Sequence, residues 1–263
     1  MSTLTVDIGN SNIVFGFFYN KKLLFTARIT STPPRTLDEY SILIRTLLKE
    51  KLTQNDKTIS LKELNSSRCV ISSVVPHITP PIIEALKLSL NVDPLLVEPG
   101  IKTGIMIKAK NPSSVGSDRI VNSAAVAYLY ELPAIVVDCG TATCIDVVNE
   151  KKEFLGTIIA PGIETAAEAL TIKAAKLPTM PLAWNPNLIG RDTIEAMQIG
   201  CINGFCYLID GLVTQAKKLL TQTKNVVCTG GLGQIIYKHC KTITDYNPNL
   251  TLEGLRIIGE LNR

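Results

Sequence analysis

Apolar residues fall in three runs over the first thirty positions, LTVDIG, NIVFGFFY and LLFTARI, with short polar breaks between them. This pattern predicts a meander of hairpins. The stretch TLDEYSILIRTLLKE changes to helical spacing, with Thr36 as N-cap and Asp38 and Glu39 in the first turn. RCVISSVV reads as a buried strand. PHITPPIIEALKLSL reads as a loop and a helix that starts at its prolines. After a Pro/Gly-rich passage around EPGIKTG, GSDRIVNSAAVAYLY reads as a helix with a polar N-terminus.

The pattern then restarts. PAIVVDCGTATCIDVVNEKKEFLGTIIAPG is again strand, Asp-x-Gly turn, strand, turn, strand. Helices are expected at Ile163–Ala175 and about Thr193–Leu220, a strand in NVVCTGG, a helix in LGQIIYKHC and a last helix in LEGLRIIGELN. LTVDIGNS and IVVDCGTA share the order apolar, apolar, Asp, any, Gly, polar, small, half a chain apart. The repeat implies an α/β protein of two related halves, 1–115 and 116–263, each a β-meander with helices.

Composition narrows the possible chemistry. With 46% hydrophobic and 19% charged residues the chain has the balance of a soluble protein with a sizeable core. A net charge of +4 tilts it mildly toward anionic ligands without requiring nucleic acid. Lys102, Lys108 and Lys110 form only a sparse patch with no interleaved aromatics. The N-terminus lacks a basic region followed by an apolar one, and no uninterrupted apolar run spans a membrane, so the expected location is cytoplasmic. Seven cysteines, an odd number without C-x-x-C spacing, are expected to be reduced and mostly buried. Only two histidines, His77 and His239, argue against a His-rich metal site or a serine-hydrolase triad.

Four short stretches carry candidate chemistry. In Asp7-Ile8-Gly9-Asn10-Ser11-Asn12, Gly9 lets a ligand approach the backbone and the polar residues supply donors for phosphate oxygens. Asp7 is placed to organise a hydrated cation beside them. A plain Gly/Asn hairpin turn would use the same letters. Asp138-Cys139-Gly140-Thr141-Ala142-Thr143 repeats the arrangement, and Asp138 at the end of an apolar run calls for a partner such as a cation. NVVCTGGLGQII takes a strand into Gly230 and Gly231 and then a helix. It suits a base or ribose against bare backbone, or merely a close strand–helix turn. Neither of the common nucleotide fingerprints, G-x-x-x-x-G-K-[ST] or G-x-G-x-x-G, is present. In Gly116-Ser117-Asp118-Arg119, Asp118 has the chemistry to accept a proton from a hydroxyl and Arg119 to pair with a carboxylate. Ser117 or Asp118 would equally serve as a helix N-cap.

Taken in order, DIGNSN, PGIKTGI, NPSSVGSDRIVN, VVDCGTATCIDVV, APGI, AAKLP, IGRDTIEAMQIGCINGF and CTGG resemble the ASKHA phosphotransferase superfamily, and within it the type III pantothenate kinases. The resemblance covers essentially the whole chain. It implies two ASKHA (ribonuclease H-like, actin-like ATPase) domains, each a mixed sheet with flanking helices, and phosphorylation of pantothenate by ATP at the entry to coenzyme A synthesis. It further implies that Asp7, Ile8, Gly9, Asn10, Ser11, Asn12, Ile13 and Val14 bind ATP phosphates, with Mg2+ or another divalent ion, and that Thr141 contacts ATP. Asp138 would ligate a monovalent cation, K+ or NH4+. Gly116, Ser117, Asp118 and Arg119 would contact pantothenate, with Asp118 as proton acceptor. Thr193 would reach pantothenate across the interface of a homodimer; from the residues alone it reads as a helix-N-terminal hydroxyl. Neither nucleic acid nor membrane is an expected partner. The chain departs from the family pattern at Ser11 (more often Thr), Ser117 (usually Ala), Thr157 (commonly Gly) and Ala109 (commonly aromatic). Two alternatives stay open: a kinase of another hydroxylated metabolite, and a non-catalytic regulator of the transcriptional accessory type.

Overall fold

The computed structural model describes residues 2–55, 61–65 and 67–263; Met1, the stretch 56–60 and Ser66, all within the expected first half, lie outside the described residues. In chain order the elements are β1 (Ser2–Ile8), β2 (Asn12–Tyr19), β3 (Lys22–Thr30), α1 (Leu37–Asn55), α2 (Leu61–Asn65), β4 (Arg68–Ser73), α3 (Thr79–Leu90), β5 (Pro94–Leu96) and β6 (Met106–Ile107). There follow α4 (Ser117–Leu129), β7 (Ala134–Cys139), β8 (Ala142–Val148), β9 (Glu153–Pro161), α5 (Ile163–Lys173), α6 (Thr193–Gln198) and α7 (Gly204–Ala216). The last four are β10 (Asn225–Thr229), α8 (Gly233–Ile236), β11 (Asp245–Tyr246) and α9 (Leu250–Leu261).

Two compact units result. The first comprises Met1–Gly104, Asn111–Ala125 and Thr251–Arg263; the second Ile105–Lys110 and Val126–Leu250. They are discontinuous in sequence, whereas the expected halves were contiguous. Residues Leu252, Gly254 and Gly259 of α9 lie against Gly16, Val121 and Val70 of the first unit. The short strand β6 pairs in parallel with β9, Met106 opposite Glu153.

In the first unit the sheet order is β3-β2-β1-β4-β5. The three hairpin strands are antiparallel, and β4 and β5 join in parallel. Alternation along the strands assigns the faces. Leu4, Val6 and Ile8 of β1, and Cys69 and Ile71 of β4, enter a core shared with Tyr40, Ile44 and Leu48 of α1 and Ile82 and Leu86 of α3. Thr5, Asp7, Val70 and Ser72 therefore point to the opposite face, the one α9 covers. Helix α1 begins as expected: the Thr36 hydroxyl accepts from the Glu39 amide, and the Glu39 carboxylate accepts from the Thr36 amide, a reciprocal capping box.

The second unit repeats the plan. Its order, β11-β10-β7-β8-β9-β6, contains the same succession read in reverse, with β6 added at the edge. The strand directions match as well: β7-β8-β9 antiparallel, β10 parallel to β7 and β11 parallel to β10. Its core gathers Ile135, Val137 and Cys139 of β7 with Ile202, Cys206, Ile209 and Val213. The expected helix at 193–220 forms as one 27-residue helix, Thr193–Leu219, with a π-helical stretch at Ile199–Asn203. By length and composition alone it is apolar enough to cross a membrane, although polar and charged residues such as Glu195, Asn203 and Asp210 interrupt it. Its buried residues in the core make it the central helix of this unit. The helix expected in LGQIIYKHC is shorter, α8 alone. All seven cysteines are buried, and none is in a disulfide.

The glycine contacts give opposite predictions. A Cβ at Gly254 would run into the Val121 carbonyl, so Gly254→Ala is expected to cost about 1–3 kcal/mol. Gly211, inside α7, has open space around it, so Gly211→Ala is expected to gain about 0.5–1 kcal/mol. Urea unfolding of the two variants checks the signs.

Candidate active site

In the first unit Asp7 stands one residue before the end of β1, paired with Val14 across the hairpin and with Ser72 on the parallel strand. The Ser72 hydroxyl donates to Asp7 Oδ1 at 2.6 Å. The turn beyond is tightly held. The Gly9 amide donates to the Asn12 carbonyl (3.0 Å), the Ser31 hydroxyl to the Gly9 carbonyl (2.6 Å) and the Ser31 amide to the Ser11 carbonyl (3.0 Å). Its carbonyls are thus turned toward Ser31, while Asn10 and Ser11 are exposed at the tip. Ile8 and Ile13 are fully buried in the core, so any ligand contact from them comes from backbone.

The same unit holds Gly116 to Arg119. Ser117 is the first residue of α4, but its hydroxyl does not cap that helix. It donates to the Ser73 carbonyl (2.8 Å) and accepts from the Ser73 amide (3.0 Å), fastening α4 to the end of β4. Asp118 follows, with Oδ1 accepting from the Arg119 amide at 2.8 Å and lying 4.0 Å from Arg119 Nη1. A Cβ at Gly116 would sit 2.5 Å from that oxygen, so only glycine leaves the carboxylate its place. The helix N-terminus favours a negative charge here. Asp118 is near enough to Asp7 to act on it. Burial pushes the Asp7 carboxyl up, the Ser72 bond pulls it back, and the Asp118 charge raises it again, to about 6.

The second unit presents the equivalent turn. Asp138 pairs with Cys144 and with Thr229, the positions matching Val14 and Ser72. The Gly140 amide donates to the Ala142 carbonyl at 3.1 Å. The Thr141 carbonyl is taken by the Gly162 amide (3.1 Å) and the Thr165 hydroxyl (2.8 Å), as Ser31 takes those of the first turn. Thr141 itself is exposed. After β10, Gly230 adopts φ +87°, and a side chain there would strike the Cys139 backbone. Thr193 is the first residue of α6, whose cap is Asp192, accepting from the Glu195 amide at 2.9 Å. With Leu170, Leu177, Arg191 and Met197 it lines an open groove of about 740 Å³.

The sequence singles out the two turns, Gly116–Arg119, the glycine pair and, within APGI, Gly162, but not Ser72 or Ser31. These last two are paired with the turns only through the sheet. The one visible signal is that Ser31, like Gly162, directly follows the third strand of a meander.

Two such sheets, each with an Asp-x-Gly turn between its first two strands, have the fold of the ASKHA kinases and ATPases. Solved structures agree on the fold. An inorganic polyphosphate/ATP-glucomannokinase from Arthrobacter aligns with TM-score 0.50 at 12% identity, over 100% of this chain and 99% of its own. A Campylobacter jejuni protein described as a Baf family transcriptional activator aligns with TM-score 0.59 at 21% identity, over 98% and 97%. Within the class, the type III pantothenate kinase family model matches residues 3–215. A type III pantothenate kinase from Moorella thermoacetica is 43% identical over 98% of this chain and 99% of its own length. One from Finegoldia magna is 40% identical over 99% and 97%. The chain belongs to the type III pantothenate kinase family, and is thereby a kinase that uses ATP to phosphorylate an alcohol group of pantothenate, in coenzyme A biosynthesis.

The Asp7 shift carries a stability signature. Its folded value lies above the ordinary 3.8, so its contribution to stability is fully present below that value and lost as pH rises through about 6. Asp7→Asn is expected to remove this loss. Relative to that variant, wild type should weaken between pH 4 and pH 7 by up to ~3 kcal/mol, less where water reaches the half-buried group. Urea unfolding of both proteins at the two pH values reads the difference.

Proposed function

We propose that Asp118 is the proton acceptor when the primary hydroxyl of pantothenate attacks the γ-phosphorus of ATP to give 4'-phosphopantothenate and ADP. The oxygen–phosphorus bond to pantothenate forms, the bond to the β-phosphate oxygen breaks, and the hydroxyl proton passes to the Asp118 carboxylate. The observation that carries this reading is the placement of Asp118: on a helix N-terminus, against bare Gly116 backbone, within electrostatic reach of Asp7 in the phosphate-type turn.

In the first unit the turn from Asp7 to Val14 receives ATP phosphates on the exposed side of Gly9 to Asn12. Asp7 would hold a divalent ion, Mg2+ by preference, beside those phosphates. Its donor set fits: a single carboxylate together with substrate phosphates and water is what that ion takes. Among the described residues no group of three or more His, Cys, Asp or Glu is arranged to hold a metal ion. When bound, the ion neutralises charge on the β- and γ-phosphates. In the second unit Thr141 contacts ATP and Asp138 serves a monovalent cation, K+ or NH4+. Gly116, the Ser117 backbone and Arg119 border the pantothenate end.

The protein acts as a cytoplasmic homodimer in which Thr193 serves the partner's pantothenate site. Support comes from large apolar side chains left exposed on the second unit: Leu188 at 90%, Ile189 at 81%, Ile172 at 76% and Tyr207 at 63%. Exposed apolar surface is a common feature of interaction sites. A regulator without catalysis would have no use for a carboxylate set as Asp118 is.

Two outcomes follow. Asp118→Asn should lower turnover by about 10²–10⁴ while ATP binding, measured by calorimetry, survives; near-wild-type turnover would remove Asp118 from the role. Ile189→Asp should give a monomer by sedimentation, with a sharply raised KM for pantothenate. A dimer of unchanged stability would count against the interface.

A further inference from the structure

The last two residues of β4 are bonded to Asp7 and to Ser117, the neighbour of Asp118. Ser72 lies on the same sheet face as Asp7, directly opposite it in the parallel register, with no exposed surface. Its hydroxyl reaches Asp7 Oδ1 at 2.6 Å, the length of a hydroxyl bonded to an ionised carboxylate. The next residue, Ser73, is gripped through its backbone by Ser117, the neighbour of Asp118. The end of β4 is therefore the part to which both Asp7 and Asp118 are fastened. The second unit has the same element: Thr229, also buried, stands opposite Asp138 in the corresponding parallel register.

We propose that Ser72 is a positioning residue for catalysis, holding one oxygen of Asp7 so that the carboxylate has a fixed orientation toward the phosphate turn. The inference rests on the reading of Asp7 as part of the ATP site. A buried hydroxyl in a strand has few acceptors beyond the ladder, and a carboxylate with both oxygens free would sample several rotamers. The bond removes both problems at once. A small misplacement of a group that acts on the transferred phosphoryl lowers the rate by one to two orders of magnitude without abolishing binding. The effect thus belongs mainly in kcat.

The test is a double-mutant cycle with a rescue. Ser72→Ala is expected to lower kcat roughly 10-fold with KM for ATP changed by less than about 3-fold. Ser72→Thr, which keeps the hydroxyl and copies position 229, should restore most of the rate. In an Asp7→Asn background, Ser72→Ala should cause no further loss. A Ser72→Ala protein with wild-type kcat, or one that loses the same factor when Asp7 is already Asn, overturns the proposal and leaves Ser72 a structural residue. Wild-type turnover in Asp7→Asn alone would instead remove Asp7 from the site, and the proposal with it. Should Ser72→Ala fail to fold, the near-isosteric Ser72→Cys, a weak donor, carries the same expectation and the same refutation.

Discussion

A carboxylate at the buried end of a strand loses its water, and everything at this site is arranged around that cost. Burial and, to a lesser degree, the nearby Asp118 charge push Asp7 up to about 6 even with a hydroxyl bonded to it. Two acidic groups held this close in a partly dry place favour a cation or the positive ends of amides between them. The protein keeps the arrangement rigid. Ser72 holds Asp7, Ser117 fastens α4 to β4, and Ser31 straps the turn. The strain this stores electrostatically is relieved in the proposed account when nucleotide and divalent ion arrive.

The duplicated sheet explains why such a site has a second copy. Each meander ends its first strand with an Asp, turns through a glycine and returns. Each turn is then braced by residues just after the third strand. The copies differ at the turn: the first is longer by one residue and tipped with Asn10 and Ser11, the second is shorter and tipped with Thr141. The fourth strand supplies Ser72 in one copy and Thr229 in the other.

The hairpins, the main helices and the repeat were legible because period-2 and helical patterns are local properties of the chain. So were the turns, since Asp-x-Gly marks them directly. Thr193 was readable as a helix start, though the capping falls to Asp192. What escaped was non-local. Nothing in the letters around Ser72 says that its hydroxyl meets Asp7, sixty-five positions away, and nothing around Ser117 says that its hydroxyl bonds the backbone of Ser73. The discontinuity of the units is non-local as well: α9 belongs to the first unit through close packing at Gly254 and Gly259, which sequence spacing does not encode.

The central claim is that these turns serve a phosphoryl transfer that needs pantothenate. Release of ADP by the purified protein, followed by a coupled assay with and without pantothenate and with K+ exchanged for Na+, tests it most directly. The account predicts ADP release that depends on pantothenate and is strong in K+ but weak in Na+. ADP release indifferent to pantothenate, or none in either salt, would contradict it.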